Sequence, residues 1–403
     1  MSHVLARLRP TKRLIHDAVE ATTWLVDEGN EATARLVVGG LSAVPGLEEP
    51  VRAVDGLRRT LTRGVLGSVR AINRAVEVVT DTALDLGAPE PPPAPAMPQC
   101  GDQLVSVPGA LDQLVGVVNG FVGDHLASSG NGLDLGLRLR HGDHWLSLEP
   151  GALRLQVPEP RRRVVLLVHG LSTTELSWSL DAARRLGASG HHYGSLLADE
   201  HDLTSLYVRY NTGRSVEENG RAFATALEDL VAHWPVALDE VVLVGHSMGG
   251  LIARAATAVA REAGHRWLER LGRMVCLGSP HEGAPLARLG ETAAGAMLAV
   301  DLPGTRIVGR ILDTRSQGVK DLQYRQHHAI GPLLPEVRYL FVSGCLGSRD
   351  GAASRAFGDL LVPVQSASGP DGENVQVRHF DGVAHHELQV HAGVYRALAD
   401  FLS

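Results

Sequence analysis

The most constraining stretch of this sequence is Gly245-His246-Ser247-Met248-Gly249-Gly250, which directly follows the apolar run 241–244 and directly precedes the helical run Leu251-Ile252-Ala253-Arg254-Ala255-Ala256. A serine on so sharp a strand-to-helix turn takes a strained backbone conformation with its hydroxyl exposed. Glycines flank it because the chain passes itself without room for Cβ atoms. The helix N-terminus that follows favours developing negative charge. From average glycine and serine usage, the bare five-residue pattern would arise in about one chain in ten of this length, so the strand before and the helix after carry the weight.

The surrounding sequence supplies the sheet that such a turn requires. Runs at Val164–Val168, Ser205–Val208, Val241–Val244, Met274–Leu277 and Tyr339–Val342 read as strands. Ala- and Leu-rich helical patterns lie between several of them, around 216–232 and 250–263, and a last amphipathic helix is predicted at 392–402. This alternation indicates a mostly parallel central sheet flanked by crossover helices, with its core from about Arg161 onward. Residues 284–335, inserted between two strands, are apolar and glycine-rich and are expected to form a cap over an acyl pocket.

Upstream, 11–38 and 51–79 carry apolar residues at helical spacing, and 1–88 is read as an N-terminal helical accessory region. Pro45-Gly46 separates the two helices. Residues 1–88 hold 11 basic and 11 acidic side chains, a balance that favours packing against protein, since membrane-surface helices carry excess Lys and Arg. Peripheral membrane contact through these helices is nevertheless left open. The proline-rich stretch 89–98 is expected to be a stiff, extended linker. Residues 99–160 are then a helix and a hairpin leading into the core. The helix is expected at 104–126, with Gly116, Gly120 and Gly123 allowing close packing, and the hairpin at 135–157.

Composition narrows the function classes. The chain has 403 residues, 44% hydrophobic and 21% charged, and a formal charge of −7, which provides no electrostatic footprint for nucleic acid. Cys100, Cys276 and Cys345 are too few and too scattered for a disulfide framework or a zinc site. The paired histidines at 191–192, 327–328 and 385–386 lack the H-E-x-x-H spacing, so no metal and no cofactor are expected. With no secretory apolar core near Met1 and no run long enough to span a bilayer, the expected location is cytoplasmic. Nothing in the sequence addresses oligomeric state.

A serine hydroxyl is a weak nucleophile at neutral pH and needs a general base, itself oriented by a carboxylate, in the chain order nucleophile, acid, histidine. Asp359, in Gly358-Asp359-Leu360-Leu361-Val362-Pro363, is the candidate acid, with Asp350 its competitor. His385 or His386, after the strand-like segment 375–380, is the candidate base, and His385 is favoured. Charge developing on a carbonyl oxygen needs preorganised donors. The backbone N–H groups of Leu171, in the loop His169-Gly170-Leu171, and of Met248 are the candidate oxyanion pair.

These segments resemble the lipase and esterase branch of the α/β-hydrolase superfamily, including bacterial relatives of GPI inositol-deacylase-like serine hydrolases. The matching stretches are VVLLVHGLSTTELSW, LYVRYNTGRSVEENGRAFATALEDL, LVGHSMGGLIARAA, LGSPHEGAPLARLG, GDLLVPVQSA and HHELQVHAGVYRALADFL, spread over 161–403. The family often has Thr-Pro-His-His-Gly where this chain has Ser279-Pro280-His281-Glu282-Gly283, a departure in a loop that lines the site. The resemblance implies an α/β-hydrolase fold over 161–403 with Ser247, Asp359 and His385 as catalytic triad. NGFVGDHLASSGNGLDLGLRLR at 119–140 also looks like a segment that precedes the core in some relatives. The implied activity is carboxylic ester hydrolysis through an acyl-enzyme, on a small-molecule ester or lipid. Acyl transfer or thioester cleavage by the same triad, and a non-catalytic lipid-binding or scaffold role, are the rival readings.

Overall fold

The computed structural model describes residues 55, 109–180, 182–186, 192–284, 316–323, 327–345, 359 and 361–403. The chain divides into two compact units, 1–106 with 296–311 and 107–295 with 312–403. In the first, Asp55 is helical and buried. The helices expected at 11–38 and 51–79 (Asp55 apart), the linker at 89–98, Asp350 and most of the cap expected at 284–335 lie outside the described residues. The second unit carries the sheet, the elbow serine and the candidate acid and base.

Among the described residues, eight strands form one sheet: β1 (Leu137–His141), β2 (His144–Trp145), β3 (Arg163–Val168), β4 (Thr204–Tyr210), β5 (Glu240–His246), β6 (Leu271–Leu277), β7 (Arg338–Cys345) and β8 (Val375–Asp381). Their spatial order is β2-β1-β4-β3-β5-β6-β7-β8. From β4 to β8 every pairing is parallel, with Val164 opposite both Thr204 and Val241. β1 runs antiparallel to β4. The sheet therefore begins at residue 137, earlier than the core expected from about Arg161. The alternation Leu137-Arg138-Leu139-Arg140 extends the sheet instead of leading into it, with Leu139 in the core. The hairpin is also shorter than 135–157. Pro150 offers no N–H and Gly151 turns at φ 83°, and the chain then enters a short helix, Leu153–Gln156.

The central strands read as unbroken apolar runs because both faces are covered. Val164, Leu166 and Val168 of β3 face one layer, where α3 (Val216–His233) contributes Phe223, Leu227 and Leu230, and α4 (Met248–Ala263) contributes Leu251 and Ile252. Val165 and Leu167 face the other, where α2 (Tyr193–His201) contributes Tyr193 and Leu197, and α7 (Ala392–Leu402) contributes Val394, Leu398 and Phe401. Each such side chain, fully buried, contributes about 1.5–3 kcal/mol. Ser215 caps α3 by accepting from the Glu218 N–H at 3.1 Å, while Glu218 accepts from the Ser215 N–H at 3.0 Å.

The glycine-bearing helix predicted at 104–126 is α1, Gly109–Ser128. Its glycine face lies where Cβ atoms would collide. One on Gly120 would run into Ser172 and one on Gly123 into Asn211, while Gly116 sits against Thr173 and Thr174. α1 thus rests on the loop that leaves β3. Among the described residues, no helix is long and apolar enough to cross a membrane.

Candidate active site

Ser247 stands between β5 and α4 with φ 54° and ψ −123°. Such a conformation costs a non-glycine residue about 1–3 kcal/mol and persists only where its surroundings enforce it. Here its N–H donates to the Leu277 carbonyl at 2.8 Å, and its own carbonyl accepts from the Gly250 N–H at 3.1 Å. A Cβ on Gly249 would collide with the carbonyls of Val168 and His169, so the tight crossing requires glycine there. The Ser247 side chain makes no hydrogen bond among the described residues, and the residue is 9% exposed.

Asp359 is completely buried. One carboxylate oxygen accepts from the N–H groups of Leu361 (3.1 Å) and Val362 (2.9 Å), the latter just ahead of α6 (Val364–Ala367). The other lies 2.7 Å from His385 Nδ1. An ionised carboxylate only accepts, so Nδ1 carries the hydrogen and Nε2 keeps its lone pair. The His385 N–H also donates to the Asp359 carbonyl at 3.2 Å. His385 opens a 3-10 turn after β8, and its ring packs where a Cβ on Gly278 would come within 3.1 Å. Ser247 is thus tied to Leu277, and His385 covers the next residue. His386 is exposed.

The loop after β3 passes beside the serine, since a Cβ on Gly170 would lie 3.1 Å from that of Ser247. Thr173 Oγ1 donates to the Gly170 carbonyl (2.8 Å), Tyr210 Oη to the His169 carbonyl (2.9 Å), and the Ser172 N–H to Thr212 Oγ1 (3.1 Å). Ser172 itself has φ 58°. Burial pushes the His169 imidazole down to about 4, so the ring stacked on Tyr210 at 4.5 Å is neutral. The N–H groups of Leu171 and of Met248, the first residue of α4, donate to no other atom of the described residues.

Sequence reasoning missed what holds this loop. Glu175, in its 3-10 turn, and Arg209 of β4 are both buried, with Arg209 Nη2 2.7 Å from Glu175 Oε1. Arg209 also makes two bonds to Asp112 of α1, at 2.9 and 3.0 Å, and Arg140 of β1 donates to Glu175 at 3.0 Å. The partners lie 97 and 34 positions from Arg209, and no local pattern links them. A second omission is His246, whose Nε2 lies 3.0 Å from the His385 carbonyl oxygen.

Two surface clefts are lined elsewhere. One of about 630 Å³ borders Arg140, Glu175, Trp178, His192 and Tyr207, and one of about 540 Å³ lies between β8 and α7. Neither is lined by Ser247, Asp359 or His385, and the reactive groups locate the site better than cleft size does. Among the described residues, no group of His, Cys, Asp and Glu is arranged to hold a metal ion. Cys276 and Cys345 are buried, and burial pushes the Cys276 thiol up to about 12.

Residues 162–293 match the family described as PGAP1-like alpha/beta domain. No curated protein matches the chain. Among solved structures, a Bacillus licheniformis lipase in its mature form is 17% identical over 61% of this chain and 94% of its own, at a TM-score of 0.44. A phospholipase from Legionella pneumophila is 16% identical over 51% of this chain, at a TM-score of 0.36, and the match spans 44% of that phospholipase. An esterase from Pyrobaculum calidifontis is 13% identical over 60% of this chain and 75% of its own, at 0.36. The sheet topology, the strand-to-helix turn at Ser247 and the matched segment together make the described domain an α/β-hydrolase fold, in which residues 162–293 are similar to the PGAP1-like alpha/beta domain family.

Proposed function

We propose that the protein is a serine hydrolase that cleaves carboxylic esters through an acyl-enzyme, with Ser247 as nucleophile, His385 as general base and Asp359 as the group that orients it. The observation that carries this reading is the 2.7 Å bond from His385 Nδ1 to the buried Asp359, which leaves Nε2 free to accept a proton; Ser247, held at φ 54°, is tied to Leu277, and the His385 ring packs over the next residue. His385 Nε2 takes the Ser247 proton as Oγ attacks the ester carbonyl. The oxyanion accepts from the N–H groups of Leu171 and Met248, each worth about 3–4 kcal/mol in the transition state. Collapse expels the alcohol, which takes the proton from His385. Water, deprotonated by the same imidazole, then attacks the acyl-enzyme, and Ser247 Oγ leaves with the proton returned by His385 as the acid is released.

The substrate class under this reading is a small ester or a lipid ester. A fluorophosphonate probe tests it directly. The expected result is one adduct on Ser247, absent in Ser247→Ala, with p-nitrophenyl butyrate turnover lost in parallel. Equal labelling of the two proteins would remove the proposal. Competing alcohols and thioesters added to the same assay separate hydrolysis from transfer.

A further inference from the structure

His246 precedes the serine in the chain, and its ring lies beneath the turn that carries His385, with ring centroids 4.8 Å apart. Trp178 presents an edge-on contact on another side, at 6.4 Å. The side chain is buried, with Nε2 3.0 Å from the His385 carbonyl oxygen and Nδ1 lacking any hydrogen-bond partner. A carbonyl can only accept, so the hydrogen resides on Nε2 and Nδ1 keeps its lone pair. Burial first, then the neighbouring His385, pushes this imidazole down to about 3, which keeps the ring neutral in ordinary buffers.

His385 is therefore held from three directions. Its N–H donates to the Asp359 carbonyl at 3.2 Å, its Nδ1–H to the Asp359 carboxylate at 2.7 Å, and its carbonyl accepts from His246. Asp359 supplies the first two from the connection that follows β7. The third comes from the end of β5, one residue from Ser247, and so ties the base to the strand that carries the nucleophile.

We infer that His246 is a positioning residue: its Nε2–H anchors the main chain of His385 and keeps the free nitrogen of that imidazole aligned with Ser247. The inference rests on the reading of Ser247 and His385 as nucleophile and base. His246 itself exchanges no proton with substrate. A donor at this point is required, and an apolar side chain of similar size does not replace it.

The test compares His246→Leu and His246→Gln in the full chain, by p-nitrophenyl butyrate kinetics, fluorophosphonate labelling rate and far-ultraviolet circular dichroism. Misalignment on the ångström scale lowers rates on the order of 100-fold, so kcat and labelling rate are expected to fall about 10- to 100-fold in the leucine variant with KM unchanged. Glutamine, whose amide also donates, is expected to restore most of the loss. Wild-type rates in the leucine variant, or equal impairment of both, would overturn the inference. Nitrogen-15 histidine spectra of the unaltered protein give an independent reading, with His246 expected neutral and protonated on Nε2 from pH 5 to 8. A hydrogen on Nδ1, or titration in that range, would overturn it equally. Labelling that persists in Ser247→Ala instead removes the underlying assignment, which keeps the two failures distinct.

Discussion

Three histidines of the domain, His169, His246 and His281, are buried and lie outside the proposed nucleophile, base and acid. Burial holds His169 near 4 and His246 near 3, against 6.5 in an exposed imidazole. Burial and the Arg254 guanidinium, which donates to His281 Nδ1 at 3.1 Å, hold His281 well below its ordinary value. In each case the unfolded chain takes up the proton first as pH falls. Stability is therefore complete above about pH 6.5 and declines on acidification toward pH 4, by about 1.4 kcal/mol per pH unit for each ring. Urea unfolding at pH 7, 6 and 5 checks this: a steep fall in free energy between 6.5 and 5 is expected, and a flat profile would mean that these rings are charged or hydrated in the native state.

The loop after β3 is gripped by parts of the chain that a linear reading keeps apart. α1 touches it through Gly120, and Glu175 joins it to Arg209 and Asp112. Glu175→Ala leaves Asp112 as the remaining carboxylate partner of the buried Arg209 and is expected to cost about 1–3 kcal/mol, read as a lower urea midpoint at an unchanged slope. Gly120→Ala pushes on the Ser172 backbone and is expected to cost about 1–3 kcal/mol. A thermal midpoint equal to wild type for either variant would contradict the packing described. The strands β3 to β7 were legible in the sequence because burial on both faces gives each an apolar run at its centre. The turn at Ser247 was legible because the strand before it and the helix after it are adjacent in the sequence. The Arg209 network and the His246 bond were not, because each depends on which distant segments the sheet order brings together. β1 escaped as part of the sheet for a related reason: half-exposed alternation looks the same in a free hairpin and in one that joins the end of a sheet.

At the scale of the molecule, α1 and the β1–β2 hairpin complete the sheet domain instead of preceding it. β1 pairs with β4 from Leu137 to Arg140, and Asn211 at the end of β4 is buried with its amide donating to the Gly123 carbonyl at 2.8 Å and to Asp134 at 2.7 Å. A fragment of residues 161–403 leaves the Asn211 amide without these partners and deprives Arg209 of Asp112. It is expected to aggregate or to unfold without cooperativity, whereas 107–403 is expected to unfold in a single sharp transition. Differential scanning calorimetry of the two fragments decides the matter, and a cooperative transition in the shorter one would contradict a domain that needs α1 and β1. The order of the reactive groups along the chain has a consequence for biosynthesis. The hydroxyl at 247 leaves the ribosome well ahead of the carboxylate at 359 and the imidazole at 385. Under the proposed roles, a nascent chain halted before residue 385 thus carries a serine with no base to activate it.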